Sequence, residues 1–190
     1  FYLDFKKDTL YCEAKDSLSR RNTQYVLYTI VKNIAIAYSP ILAFTGEEIY
    51  RAIDIKDRKN SVALESYPDL GEIDESLSSD YKTFLALRNH VNAVLEPSRK
   101  SGLIGSSSEA SLVYLPKSQE ESDLIGLFKE GELEKILQVS HFAVGDEDKV
   151  SKHGGVKCER CWNYFDDCLE DEEGHHLCKR CMDVVSSLKE

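Results

Sequence analysis

Four cysteines near the end of the chain have the spacing of metal ligands. Cys158 and Cys161 form one Cys-x-x-Cys pair, Cys178 and Cys181 form a second, and sixteen residues lie between the pairs. Each such turn points two sulfurs at one spot, so two turns supply the four thiolates of a tetrahedral zinc site. The spacing predicts one structural Zn²⁺ ion. A four-cysteine iron site of the kind used by redox modules is the chemical alternative.

Further metal-binding side chains lie between the two pairs. His175 and His176 are close enough to Cys178 in sequence to replace a cysteine, although four cysteines already complete a zinc site. Cys168 is therefore expected to be a spare thiol. Disulfides would need an oxidising compartment, and cysteines in metal spacing fit a reducing cytosol better. We expect a cytoplasmic protein.

Basic and aromatic residues surround the ligands. Four thiolates leave a zinc centre with excess negative charge, which neighbouring cations can offset, and the same cations would also fit a phosphate-binding patch. These cations are Lys157, Arg160, Lys179 and Arg180. Trp162, the only tryptophan, directly follows Cys161. It could pack over the zinc core, or it could stack on an unpaired nucleic-acid base.

The elements that precede this tail indicate a mainly α protein. Periodic apolar residues predict an antiparallel helical bundle, followed by a small α/β subdomain and then a four-cysteine zinc-ribbon or zinc-finger module. The expected domains are residues 1–72, 73–148 and 149–190. Helices are predicted over 17–38, 45–53, 79–95, 120–129 and 133–137, strands over 110–115 and 138–144, and a linker over 145–155.

Local signals set several of these boundaries. Asp16 and Ser17 are candidate N-caps for the first long helix. Its apolar stripe of Leu27, Ile30, Val31, Ile34, Ala35 and Tyr38 is expected to face the bundle core. Thr45 begins a capping-box pattern with Glu48, which would start the second helix and bury Ile49, Ala52 and Ile53. Pro97 is expected to end or kink the third helix.

Composition limits the possible partners. The net charge is −10, and the excess is concentrated in residues 60–148, which carry seven basic against seventeen acidic residues. The two ends are closer to neutral, so the acidic total does not argue against RNA binding there. No apolar run is long enough to span a membrane. The chain starts without methionine inside an apolar repeat, so we expect a piece of a longer protein.

Motifs for catalysis are missing from the sequence. It contains no phosphate-cradling glycine-rich loop and no nucleophile elbow. His90 is expected to be a partly exposed helix residue rather than a base. We therefore predict no catalytic residue, so that this chain should be inactive as an enzyme on its own.

Longer stretches carry a family resemblance. The tail reads KCERCWNY and then HLCKRCMDVV, which resembles the C-terminal zinc module of bacterial isoleucyl-tRNA synthetases. The beginning, FYLDFKKDTLYCEAKDSLSRRNTQYVLY and SPILAFTGEEIY, resembles the helical anticodon-binding domain of that family. LRNHVNAVLEPSRKSGLIGSSSEASLVYL resembles the junction segment, with Pro97 where the family has a helix former. The nucleotide-binding signatures HIGH and KMSKS are absent.

The resemblance implies the tRNA-reading part of an isoleucine-tRNA ligase. The parent would join isoleucine to tRNA(Ile), using ATP and Mg²⁺ in a catalytic domain outside this chain, and would be a monomer. The anticodon stem-loop would be the ligand of this part. At the matching positions of the first Cys-x-x-Cys turn, Arg160 and Trp162 are the implied anticodon contacts. Further phosphate contacts are expected on the helices, at Lys6, Lys7, Arg20, Arg21 and Lys32.

Two other functions stay open at this stage. The tail could be a protein-interaction zinc ribbon on a helical adaptor, or the four cysteines could hold iron in a redox module. Metal analysis would distinguish the redox module, and a gel-shift assay with tRNA would distinguish the adaptor.

Overall fold

The computed structural model describes residues 1–69, 71–72 and 74–188. It is mainly helical, with small sheets and a four-cysteine module, as the sequence predicts. The chain forms two compact units, Ala14–Glu72 and a second unit made of Phe1–Glu13 with Ile73–Glu190. The first helix thus groups with the later elements rather than with the helices before residue 72. The three-domain division stays a prediction.

Two helices form the unit Ala14–Glu72. Helix α2 spans Leu18–Tyr38 and α3 spans Ala43–Ala52. Ser17 caps α2, since its hydroxyl accepts a hydrogen bond from the backbone N–H of Arg20 at 3.1 Å. The helices approach closely at Gly46, where a Cβ would lie 3.2 Å from the Ala35 carbonyl. The core of this unit consists of Ile36, Tyr50, Ile55 and Val62.

The capping-box prediction is wrong. Helix α3 begins two residues before Thr45, because a tight turn from Tyr38 leads directly into it. Its glutamates are therefore inside the helix. The carboxylate of Glu47 accepts hydrogen bonds from the Ser61 hydroxyl and the Val62 backbone N–H, each at 2.9 Å, and pairs with Arg51 at 2.9 Å. This one side chain anchors the loop that follows α3.

The predicted apolar stripe of α2 is mostly uncovered. Ile30 and Ile34 are 45% and 47% exposed, and the buried residues are Thr23, Ala35 and Ile36. On α3 the buried residues are Gly46 and Tyr50. Of the predicted Ile49, Ala52 and Ile53, Ile53 packs half-buried against this core and Ala52 is exposed. The reason is that α2 and α3 meet around Gly46, which brings Ala35 and Ile36 into the interface and leaves the neighbouring side of α2 outside it.

Helix α4, Glu75–Lys100, forms one wall of the larger unit. Asp74 caps it by accepting from the backbone N–H groups of Ser76 and Leu77, at 2.9 and 3.1 Å. The expectation that Pro97 ends this helix is wrong. Pro97 lies in the last turn, where its missing N–H costs a single hydrogen bond, and its carbonyl still accepts from the Ser101 N–H at 3.0 Å.

A three-stranded sheet packs on α4. Strand β1 is Ala110–Tyr114 and β2 is His141–Val144, and they pair in parallel. Strand β3, Lys149–Lys152, pairs antiparallel with the other edge of β1. The predicted linker over 145–155 therefore contains a strand. Its charged composition is typical of an edge strand, which needs only one apolar side chain, here Val150, against the core.

Two short helices complete the subdomain. Helix α5 spans Gln119–Gly126 and α6 spans Glu132–Leu137. The shared core takes side chains from α4, β1, α5 and α6. Its buried members are Phe84, Leu87, Val91, Leu95, Ile104, Ala110, Leu112, Tyr114, Leu124, Leu133, Leu137 and Val139.

One carboxylate is buried at the edge of this core. Glu121 accepts hydrogen bonds from the Tyr114 hydroxyl at 3.0 Å and the Lys117 N–H at 2.8 Å, and its other oxygen lies 2.7 Å from Nδ1 of His90. Burial, together with this carboxylate, raises the pKa of Tyr114. His90 is about half exposed and makes this structural contact, which accords with its expected place on the helix surface.

The tail folds as two small hairpins and a helix. Strands β4 (Val156–Lys157) and β5 (Tyr164–Phe165) form the first hairpin, and β6 (Leu169–Glu170) and β7 (His176–Leu177) form the second. Helix α7 spans Lys179–Leu188, and the first helix of the chain, α1, spans Tyr2–Cys12. No helix in the described part of the chain is both long and apolar enough to cross a membrane.

We expect Glu47→Ala to destabilise the Ala14–Glu72 unit near neutral pH. The Val62 N–H, the Ser61 hydroxyl and Arg51 hold the pKa of Glu47 below its ordinary value of about 4.5. The stabilisation is therefore complete above that ordinary pKa and is lost as the pH falls through the lowered one. Urea titrations followed by amide signals of α3 should show a difference from wild type that shrinks in acid. Glu48→Ala, an exposed neighbour, is the control. Equal effects of the two variants would contradict the anchoring role.

Candidate metal centre and nucleic-acid interface

Each pair of cysteines is held by a different element. Cys158 and Cys161 lie in the turn between β4 and β5, where the Cys158 N–H donates to the Asn163 carbonyl at 2.9 Å and its carbonyl accepts from the Trp162 N–H at 2.8 Å. Cys178 follows β7 directly, and Cys181 lies in the first turn of α7. The backbone therefore brings all four side chains to one place.

The four sulfurs fit one zinc ion. They all lie within 4.8 Å of one another, and the sulfurs of Cys161 and Cys178 are 4.0 Å apart. A tetrahedron with Zn–S bonds of about 2.3 Å has edges of roughly 3.8 Å. Among the described residues, this is the one group with such an arrangement. Bound zinc would cross-link the turn to the start of α7.

The remaining candidates lie outside this group. The Cys168 thiol donates to the Val156 carbonyl at 3.4 Å, in agreement with its expected role as a spare thiol. Nδ1 of His175 is 3.2 Å from the Asp171 carboxylate, which also accepts from the backbone N–H groups of Glu173 and His175. His175 thus belongs to the acidic tip of the second hairpin.

The pKa values of the sulfurs depend on their contacts with one another. The hydrogen bond with Cys181 and burial raise the pKa of Cys161, and burial raises the pKa of Cys178. The hydrogen bond from Cys161, aided by Arg160, lowers the pKa of Cys181. A zinc ion would supply the positive charge that lets all four ligate as thiolates.

Arg180 joins the metal centre to α1. Its guanidinium makes a two-point contact with Asp8 at 2.5 and 2.6 Å and lies 3.9 Å from Glu13. The same side chain is 3.9 Å from the sulfur of Cys181. Because paired, planar contacts of this kind are directional, Arg180 fixes the position of α1 relative to α7.

Arg160 reaches the end of the same helix. It donates to the carbonyls of Cys12 and Tyr11, the latter at 3.4 Å, and to the sulfur of Cys181 at 3.6 Å. In return the Cys12 thiol donates to the Arg160 carbonyl at 3.4 Å. The last carbonyls of a helix lack partners within it, and Arg160 satisfies two of them. Charge compensation by Arg160 could be predicted from the sequence. Its contacts with α1 could not, because no local signal encodes them.

Trp162 points away from the zinc core. It is 67% exposed, and Nζ of Lys157 lies 5.3 Å from its ring centroid. Its φ of +66° is in the left-handed region. The core around the cysteines is filled instead by Leu177, Phe165, Met182 and Val185. Trp162 thus has the exposure that stacking on a base requires.

The other predicted RNA contacts fall in both units. Lys6 lies 5.3 Å from the ring of Phe5, and Lys7 pairs with Asp4 at 3.0 Å, both on α1. The remaining three side chains lie on α2, in the Ala14–Glu72 unit. They are Arg20, Arg21 and Lys32.

Two parts of the chain match known protein families. Residues 1–114 match the anticodon-binding domain of tRNA ligase. The chain belongs to this family. Residues 155–184 match the zinc finger found in FPG and IleRS, which agrees with the four clustered cysteines. The resemblance stated from the sequence is confirmed, and the tail of this anticodon-binding family member is a zinc finger.

Full-length relatives extend the same match. The chain is 38% identical over 200 residues to an isoleucine–tRNA ligase of Staphylococcus epidermidis and 37% identical over 201 residues to one of Staphylococcus aureus. Each match covers 99% of this chain and 22% of the relative. The chain thus spans about a fifth of the length of these ligases.

We expect Cys178→Ser to lose zinc and Cys168→Ser to retain it, because only the first removes a ligand. Metal analysis of the purified proteins measures this directly. Structural zinc contributes on the order of 10–16 kcal/mol to the folding of such modules, so a chelator should unfold residues 156–188. Hydrogen exchange should also rise in α1, which Arg160 and Arg180 bind, while α4 and β1 stay protected. Full zinc in Cys178→Ser would contradict the assignment.

Proposed function

We propose that this chain is the anticodon-reading part of an isoleucine-tRNA ligase and binds the anticodon stem-loop of tRNA(Ile). The family match over residues 1–114 and the relatives named isoleucine–tRNA ligase support this. The parent would attach isoleucine to tRNA with ATP and Mg²⁺, in the part of the ligase that this chain does not span. It would work in the cytoplasm as a monomer.

The exposed indole of Trp162 is the observation that best supports RNA binding. Trp162 directly follows Cys161, one of the proposed metal ligands, so the side chain would be held with little freedom left to lose on binding. Unpaired anticodon bases can be splayed out and stacked on such a ring. The nearby ammonium of Lys157 adds a cation that a phosphate could contact.

Arg160 would contribute to RNA binding less directly than Trp162. Its Nη1 and Nη2 atoms donate to α1 and to Cys181, so it would support the turn beside Trp162 and offer RNA its remaining donor capacity. Lys6, Lys7, Arg20, Arg21 and Lys32 would add phosphate contacts from α1 and α2. The zinc-finger match favours zinc over the iron of a redox module, and the anticodon-binding match favours RNA over an adaptor role.

We expect Trp162→Ala to weaken binding of the tRNA(Ile) anticodon stem-loop by roughly 1–3 kcal/mol, the usual range for one lost base stack. Zinc content should be unchanged, because the ring packs outside the zinc core. Trp162→Phe should restore most of the affinity. The measurement is a filter-binding titration with metal analysis of the same samples. Wild-type affinity in Trp162→Ala would show that the indole does not contact RNA.

We expect the purified chain to form no isoleucyl-adenylate, since it contains neither the HIGH nor the KMSKS signature. The assay is isoleucine-dependent exchange of pyrophosphate into ATP, with a full-length ligase as the positive control. Exchange above background by this chain, persisting through further purification, would contradict the proposal that catalysis resides elsewhere.

A further inference from the structure

A cleft lies beside Trp162 in the larger unit. Its volume is about 500 Å³, within the range of roughly 300–1,000 Å³ that small-molecule sites occupy. The walls come from α1, the loop before β1, the end of α6 and the zinc-binding turn. The lining includes Lys7, Arg99, Lys135, Gln138, Trp162 and Asn163. A cleft of this size has room for one nucleotide.

Backbone strain is concentrated at this cleft. Three non-glycine residues of the described chain have a left-handed backbone, and two of them, Gln138 and Trp162, line the cleft. Gln138 ends α6 with φ +59°, at a position where glycine is the usual residue. Strained conformations of this kind persist where the surrounding structure over-determines them, and they cluster at functional sites. Both side chains are exposed, so packing does not explain either of them.

The cations that line the cleft differ in their ion pairs. Lys7 pairs with Asp4 at 3.0 Å, and Arg99 pairs with Glu96 at 3.3 Å. Lys135 has no ion pair among the described residues. It lies on the same side of α6 as Gln138, because the two residues are three positions apart in sequence. The carboxylate of Asp8, also in the wall, is already bound by Arg180.

We propose that this cleft holds a single splayed-out nucleotide, with its base on Trp162, its base edge at the amide of Gln138 and a flanking phosphate at Lys135. Asn163 offers a second amide on the opposite wall. Amide side chains both donate and accept, so they can distinguish one base edge from another. This inference rests on the proposed function and adds to it the residues that would select the base.

Gln138→Gly gives a test that separates binding from folding. Glycine relieves the left-handed strain, so this variant should be at least as stable as wild type and yet bind more weakly. Trp162 is the only tryptophan, so quenching of its fluorescence reports a stacked base directly. The probe is the anticodon stem-loop of tRNA(Ile), titrated into the zinc-loaded chain, and a duplex of the same length serves as the RNA without an unpaired base.

We expect Gln138→Gly and Lys135→Ala each to weaken stem-loop binding about five-fold or more. Gln138→Asn should retain more affinity than Gln138→Gly, and Lys129→Ala, an exposed lysine outside the cleft, should bind like wild type. If both cleft variants match wild type while Trp162→Ala loses affinity, the cleft assignment is wrong and the proposed function stands. If wild type binds duplex and stem-loop equally without quenching, both are wrong.

Discussion

The clustering of four sulfur atoms within 4.8 Å of one another is the constraint on which much of the larger unit depends. A zinc ion would join the turn after β4 to the start of α7. Arg160 and Arg180 supply further positive charge near Cys181. Trp162 directly follows Cys161, one of the four cysteines, so the position of the indole follows from the same constraint.

The two arginines extend this constraint to a distant part of the sequence. Arg160 contacts the last carbonyls of α1 and Arg180 contacts Asp8. The 59 residues of Ala14–Glu72 separate the segment that contains α1 from the rest of its unit, yet α1 contributes Phe5 and Lys7 to the wall beside Trp162. The metal centre thus organises the surface beside Trp162. Arg160 and Arg180, which balance its charge, also hold α1, and α1 is the second wall of that surface.

The α/β subdomain supplies the third wall of the cleft. Leu133, Leu137 and Val139 are buried in its core and fix both sides of Gln138. Packing on each side of this residue can maintain the left-handed backbone that an isolated chain would avoid. The buried carboxylate of Glu121 joins α4, β1 and α5 through His90, Tyr114 and the Lys117 N–H. A rigid core therefore supports a strained residue at the surface.

The sequence alone determined the features that arise from neighbouring residues. The cysteine spacing predicted the four sulfurs that the structure brings together, and Ser17 marked the start of α2, because turns and caps involve residues only a few positions apart. The tertiary structure decided what depends on distant partners. Strand β3 looked like a linker because its pairing with β1 crosses a long stretch of chain, and Glu47 anchors a loop fourteen residues away. The Cys12 carbonyl that Arg160 binds lies 148 residues away in sequence, a distance that no local pattern encodes.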